Sequence, residues 1–245
     1  MTRNDSSPVR EIQLPDQQAA ILARDDMAQQ VTTDWFDPDF WEDQARPVST
    51  GGRGGAWFVH HRGEDWVLRH YRRGGLPAKL SRRSYLYSSQ RQARSFAEFQ
   101  LLLALQARGL PVPEPVAALC QRRSSWLYRA AILIRRIPGA VPLPASPRYR
   151  EEALWAQVGA TIRRFHDAGL DHVDLNVDNI LVSGERVYLI DFDRCRLRQK
   201  PGGRWQASNI RRLRRSVEKR CRDLSEEDRR AFWQALSEAY APHHS

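Results

Sequence analysis

Two scarcities narrow the possibilities before any motif is considered. No stretch of the chain approaches about eighteen consecutive apolar positions, so no membrane-crossing helix is expected, and the first residues lack the basic and then apolar segments of a secretory signal. Cysteine is nearly absent. Cys120, Cys195 and Cys221 are odd in number and form no C-x-x-C pair, which argues against a disulfide framework and against a structural zinc site. The expected compartment is therefore the cytoplasm. What is present has the balance of a globular protein: 245 residues, 41% hydrophobic and 28% charged, enough to bury a substantial core in one or two domains.

The net charge of +10 becomes informative once it is located along the chain. Residues 1–43 hold three basic and ten acidic side chains, whereas residues 194–222 hold twelve basic and one acidic. A basic block that dense calls for an anionic partner: nucleic acid, an acidic membrane surface, or a phosphorylated or carboxylated substrate.

The organisation along the chain is legible from periodicity and turn residues. Residues 1–45 form an acidic and aromatic N-terminal extension, polar at first, then helix-forming in composition over 17–30. It ends in an aromatic group (Trp35, Phe36, Phe40, Trp41) suited to stapling the extension onto the body. Residues 46–137 read as a first lobe. A short strand at 47–50 leads into the glycine run Gly51, Gly52, Arg53, Gly54 and Gly55, and strands follow at 57–60 and 66–71. Glycines allow positive φ and close backbone approach to a phosphate, although a plain hairpin turn needs the same residues. The clearest helix spans 92–108, with Phe96, Phe99, Leu102, Leu103 and Leu105 on one face and Gly109 as its stop. Four prolines and a glycine at 138–147 mark a hinge, and residues 148–245 form the second lobe. There, Leu154, Val158, Ile162 and Phe165 define an inward helix face. Ile210, Leu213, Val217, Cys221 and Leu224 recur at helical spacing, so the basic block is the charged face of an amphipathic helix. Ser225 followed by three acids caps a last helix through Tyr240.

Chemistry concentrates in residues 172–194. Two apolar runs, 180–182 and 187–190, flank a Ser-Gly-Glu turn and predict a hairpin, which brings residues entering the first strand close to residues leaving the second. Asp174 and Asn179 thus come near Asp191. Oxygen-bearing side chains converging there suit a hard divalent cation and a hydroxyl awaiting deprotonation, which is the equipment of phosphoryl transfer.

The pattern H-x-D-L-x-x-x-N from His172 to Asn179, followed by Asp191-Phe192, resembles the catalytic loop and metal-binding motif of the protein-kinase-like fold. That resemblance implies an α+β, two-lobed protein-kinase-like fold with a small antiparallel-sheet N-lobe and a reduced, mainly helical C-lobe. No A-P-E element is present and too few residues remain for the large helical lobe of a protein kinase. By the same resemblance Asp174 accepts or orients the attacking hydroxyl, and Asn179 and Asp191 hold Mg2+. His172 braces the loop, while Gly52, Arg53, Gly54 and Gly55 cover ATP. Arg69 stands where kinases place the phosphate-binding lysine, and Glu98 stands where its helix partner would be. Two departures stand out: Trp57 occupies the place of the third glycine, and Asp193 replaces the glycine of D-F-G, as a second metal ligand or a turn residue.

A narrower resemblance spans about residues 49–198 and rests on Val-Leu-Arg-His-Tyr-Arg-Arg-Gly-Gly-Leu at 67–76, Val-Asp-Leu-Asn at 173–176 and Tyr-Leu-Ile-Asp-Phe-Asp-Arg at 188–194. These are similar to the 3-deoxy-D-manno-octulosonic acid (Kdo) kinases of lipopolysaccharide core assembly. The resemblance implies phosphorylation of the 4-hydroxyl of Kdo on a lipid A precursor, by a peripheral protein at the cytoplasmic side of the inner membrane. An acceptor bearing a carboxylate and phosphates in an anionic bilayer matches the basic block, and no nucleic acid is expected. A heptose kinase of the same pathway and a non-catalytic basic binding module are the alternatives.

Overall fold

The computed structural model describes residues 9–48, 55–71, 85–86, 93–123, 127–199 and 203–241. The chain divides into two compact units, one of Met1–Leu103 with Glu114–Arg136 and the other of Ala104–Pro113 with Ile137–Ser245. The division after Arg136 falls just ahead of the proline-rich segment expected to be a hinge.

The first unit is built on one antiparallel sheet. Its strands are β1 (Val9–Leu14), β2 (Ala19–Arg24), β3 (Ala45–Pro47), β4 (Ala56–His61), β5 (Glu64–His70), β6 (Tyr85–Leu86), β7 (Pro115–Arg122) and β8 (Leu127–Arg135). They run in the order β1-β2-β7-β8-β5-β4-β3, with β6 paired to β8. Helix α1 (Arg94–Gln106) follows β6 in the chain, and Phe96, Phe99, Leu102 and Leu105 are all buried, as its periodicity requires.

Residues 17–30 correct the sequence reading. Alanine, glutamine and leucine favour a helix in isolation, but 19–24 form β2, buried along its whole length and paired with β1 on one side and β7 on the other. Pairing on both edges and burial on both faces outweigh a local preference of a few tenths of a kcal/mol per residue. Gln18, at φ 48°, makes the tight reversal that starts the strand. Residues 9–24 therefore belong to the sheet itself, where the sequence suggested an appended extension. The expected strand at 47–50 sits slightly earlier, as β3.

The aromatic group acts as a staple. Trp35 lies 5.4 Å from Trp66 of β5 and 5.7 Å from Trp41, whose indole Nε1 donates to the Trp35 carbonyl at 2.8 Å. Both Trp35 and Trp41 are buried against the sheet core of Ile21, Val59, Leu68, Leu119 and Leu133. Pairs of buried aromatics of this kind contribute roughly 0.5–1.5 kcal/mol each beyond their buried area.

The second unit is mainly helical. It contains β9 (Val141–Pro142), α2 (Glu152–Asp167), β10 (Leu170–Asp171), β11 (Ile180–Ser183), β12 (Arg186–Leu189), β13 (Arg196–Leu197), α3 (Arg204–Arg220) and α4 (Glu226–Tyr240). The predicted hairpin is β11–β12, with Gly184 at φ +54° in its turn, and β9 pairs with its other edge. Helix α2 buries Leu154, Val158, Ile162 and Phe165. It packs closely on α4: the Trp155 and Phe232 rings stack at 5.7 Å, and a Cβ on Gly159 would collide with the Leu236 carbonyl oxygen. Ser225 caps α4, its hydroxyl accepting from Asp228 N at 3.0 Å. Among the described residues no helix is long and apolar enough to cross a membrane.

Candidate active site

The loop 172–179 is held in shape by its own polar side chains. Asn176 Oδ1 accepts from the backbone N–H groups of Asp178 and Asn179 at 2.9 and 3.2 Å, capping a single helical turn over Val177–Asn179. Asn176 Nδ2 and Asn179 Nδ2 both donate to the Asp174 carbonyl, at 3.0 and 2.9 Å. Only the nitrogen end of an amide can face a carbonyl, so Oδ1 of Asn179 is turned the opposite way. Leu175 is fully buried and anchors the loop, which leaves Asp174 exposed.

The hairpin then delivers Asp191. Ile180 pairs with Leu189, and Ile190 N donates to the Asn179 carbonyl at 3.1 Å, so Ile190 stands opposite Asn179 at the end of the hairpin and Asp191 is the next residue along the chain. Asp191 has φ +63° and Arg194 φ +60°, left-handed positions that cost a non-glycine residue about 1–2 kcal/mol. The strain is held in place by Phe192, 1% exposed, whose ring lies 5.3 Å from His172 and 6.3 Å from Phe165.

His172 joins the two halves of this motif. Its Nε2 meets the Ile190 carbonyl at 3.0 Å, so Nε2 carries a proton. Burial holds its pKa below the ordinary histidine value, opposed by that hydrogen bond and by the charges of Asp191 and Asp174. Both carboxylates therefore lie within electrostatic reach of one imidazole, and the predicted bracing role of His172 is what the geometry shows.

Beneath the loop is a polar network that no motif announced. Asp171, 5% exposed, receives Arg198 Nε and Nη2 on Oδ2 at 3.1 and 2.7 Å, and Asn209 Nδ2 on Oδ1 at 3.2 Å. Asn209 Oδ1 in turn accepts from His172 N at 2.9 Å. Asn209 belongs to α3, the basic helix, on the buried face that also carries Leu213 and Val217. The available signal was an asparagine at an inward position of an amphipathic helix. Two more contacts tie α3 to the loop: Val177 N donates to Ser216 Oγ at 3.0 Å, and Arg220 pairs with Asp178 at 3.1 Å.

In the first unit, Arg69 of β5 forms an ion pair with Glu98 of α1, as its position implied. Glu98 is 3% exposed and also accepts from the Tyr71 hydroxyl at 2.5 Å. Tyr71 follows Arg69 by two positions and so shares its face of the chain. Burial first, and then the Glu98 charge, raise the Tyr71 pKa well above the usual phenol range. Gly55 extends the β4–β5 ladder, its carbonyl accepting from His70 N at 2.6 Å. Gly52, Arg53 and Gly54 lie outside the described residues.

The donor set fits magnesium only as a partial shell. Among the described residues no group of three or more His, Cys, Asp or Glu side chains could hold a metal ion. An amide oxygen and a carboxylate, as on Asn179 and Asp191, are hard oxygen donors of the kind Mg2+ takes when phosphate and water complete its octahedron.

Three comparisons bear on the whole chain. Residues 38–240 match the model of the lipopolysaccharide kinase (Kdo/WaaP) family. The 3-deoxy-D-manno-octulosonic acid kinases of Xanthomonas campestris pv. campestris (strain B100) and Stenotrophomonas maltophilia (strain R551-3) are each 45% identical over 223 residues, covering 90% of this chain and 89% of theirs. Among solved structures, WaaP in complex with acyl carrier protein superposes with a TM-score of 0.55 at 17% identity, covering 88% of each chain. An aminoglycoside-3'-phosphotransferase of type VIII does so at 0.54 and 16%, covering 82% of this chain and 89% of its own. These likenesses make the α+β fold protein-kinase-like, and with 45% identity to curated kinases across nine-tenths of its length, the chain belongs to the lipopolysaccharide kinase (Kdo/WaaP) family.

Proposed function

We propose that this protein transfers the γ-phosphoryl group of ATP to the 4-hydroxyl of Kdo on a lipid A precursor, at the cytoplasmic side of the inner membrane. The observation that carries the reading is the 45% identity to curated Kdo kinases over 90% of the chain. It is supported by the arrangement of Asp174, Asn179 and Asp191 around a single loop and hairpin.

Asp174, exposed on a loop whose backbone is pinned at its own carbonyl, takes the proton of the acceptor hydroxyl as that oxygen bonds to the γ-phosphorus. The bond from the γ-phosphorus to the β–γ bridging oxygen breaks, and ADP departs with the electron pair. Asn179 and Asp191 would hold magnesium, which supplies charge neutralisation to the phosphates. Arg69, fixed by Glu98 and presented as a planar fork, is suited to bind nucleotide phosphate oxygens in pairs. The glycine run at 51–55 is assigned to the same nucleotide. His172 stays neutral and bonded to the Ile190 carbonyl, so it positions the loop without exchanging protons during turnover.

The acceptor assignment rests on the relatives and on charge. A protein of net charge +10 is drawn to an acceptor that carries a carboxylate and phosphates in an anionic bilayer. The test is phosphate transfer from labelled ATP to a Kdo-bearing lipid A precursor, with a heptose-bearing acceptor in parallel and Asp174→Ala as control. Transfer to the heptose acceptor alone would move the assignment within the pathway, and transfer that survives in Asp174→Ala would remove the proposed base.

A further inference from the structure

We infer that α3 is a two-sided element: its inner face holds the catalytic loop, and its outer face is the surface on which the protein docks to an anionic lipid bilayer. At 3.6 residues per turn, Arg204, Arg211, Arg215 and Lys219 fall within an arc of about 80° and extend over roughly 22 Å of helix. Arg222, in the turn beyond, continues the row. All five are exposed, and among the described residues none has an acidic partner. The one acid of the segment, Glu218, sits at the margin and pairs with Arg214 at 3.4 Å. Opposite the stripe are the buried Asn209, Leu213 and Val217.

Five cations without acidic partners on one exposed helix face repel one another, and contact with an anionic plane relieves that repulsion. A bilayer fits better than single-stranded nucleic acid, because the stripe offers no aromatic platform for bases. Trp205, the aromatic residue of the helix, is half-buried with its ring 5.1 Å from His166. Nor does the stripe present an apolar side chain for insertion, so docking is electrostatic and reversible.

The contacts from Asn209 to His172, from Ser216 to Val177 and from Arg220 to Asp178 all run from this helix to the loop bearing Asp174. Docking through α3 therefore engages the same element that holds the loop carrying Asp174. This deepens the kinase reading above and rests on it for the lipid nature of the acceptor.

The experiment compares wild type with the triple variant Arg211→Ala, Arg215→Ala, Lys219→Ala in sedimentation with vesicles of phosphatidylglycerol and phosphatidylcholine, or of phosphatidylcholine alone. Wild type should bind only the anionic vesicles and be released by salt, and the variant should lose about a hundredfold in partition at low salt. In kinase assays the variant should keep wild-type turnover on a deacylated, soluble acceptor. On acceptor embedded in anionic vesicles its apparent KM should rise with kcat retained. Equal binding of variant and wild type, equal binding to neutral vesicles, or binding of a duplex oligonucleotide in place of vesicles would each overturn the inference. So would a loss of turnover on the soluble acceptor. If wild type transfers phosphate to no acceptor yet binds anionic vesicles through these residues, the kinase reading fails and the docking surface stands.

Discussion

Replacing Asn209 by alanine isolates the network beneath the loop 172–179. The side chain is 2% exposed; its amide nitrogen donates to the Asp171 carboxylate and its amide oxygen accepts from the His172 N–H. Alanine leaves that buried N–H without an acceptor and removes one donor from a buried carboxylate, whose other oxygen keeps both bonds from Arg198. An orphaned buried polar group costs roughly 1–3 kcal/mol, so the combined loss is about 3 kcal/mol. Against a total stability of about 5–15 kcal/mol the variant still folds. For a chain of this size the melting temperature should fall by about 6–12 °C. Denaturant unfolding of the two proteins gives the number directly, and exchange of the His172 amide hydrogen should accelerate in step. A loss below about 0.5 kcal/mol would mean that water replaces Asn209 freely, and the network would have no structural weight. Asn209→Asp refines the test. It keeps the acceptor for His172 N–H but sets a second carboxylate beside Asp171, so its deficit relative to wild type should shrink as acid lets the pair share a proton.

Four further outcomes follow from the same geometry. Asp174→Asn should lower kcat by about two to four orders of magnitude with ATP affinity and melting temperature nearly unchanged, because its side chain is exposed and its backbone carbonyl, not its carboxylate, receives the loop's bonds. Asp191→Gly should abolish turnover while leaving the protein as stable or more so, since glycine relieves the strain at φ +63°; a marked drop in melting temperature would refute that account. Burial presses the His166 pKa from 6.5 to about 4, so protonation favours the unfolded chain. Stability should be complete above about pH 6.5 and fall as pH drops toward 4, with about 2 kcal/mol lost from this group by pH 5; urea titrations at pH 7.5 and 5 measure it. Gly159→Ala should destabilise by about 2 kcal/mol or more, since the new methyl meets the Leu236 carbonyl and forces α2 and α4 apart; an unchanged urea midpoint would show that the helices yield.

Much of the site could be read from sequence because it is local. The Ser-Gly-Glu turn and its flanking runs determine a hairpin, and a hairpin of this register returns Ile190 opposite Asn179, with Asp191 the next residue along the chain. The Arg69–Glu98 pair was inferred from the order of motifs, since the two residues lie on a strand and a helix whose packing no spacing rule predicts. Helices α1 and α2 announced themselves by period and stop signals, because an amphipathic face carries the same information in one dimension as in three, and α4 by its N-cap and acidic first turn.

What tertiary structure alone decided is where competing partners are more distant. Residues 19–24 are composed like a helix and become a strand because β1 and β7 supply pairing on both sides, a gain that no window of neighbouring residues contains. Tyr71 gained a share in Glu98, and Asn209 became the link between Asp171 and His172, through contacts spanning 27 to 38 positions. The basic helix is the sharpest case: its period sets which face is charged, while only the packed unit shows that the opposite face grips the loop 172–179. Local pattern specifies what each segment can bury, and the fold selects among those options by the polar groups that burial would otherwise leave unsatisfied.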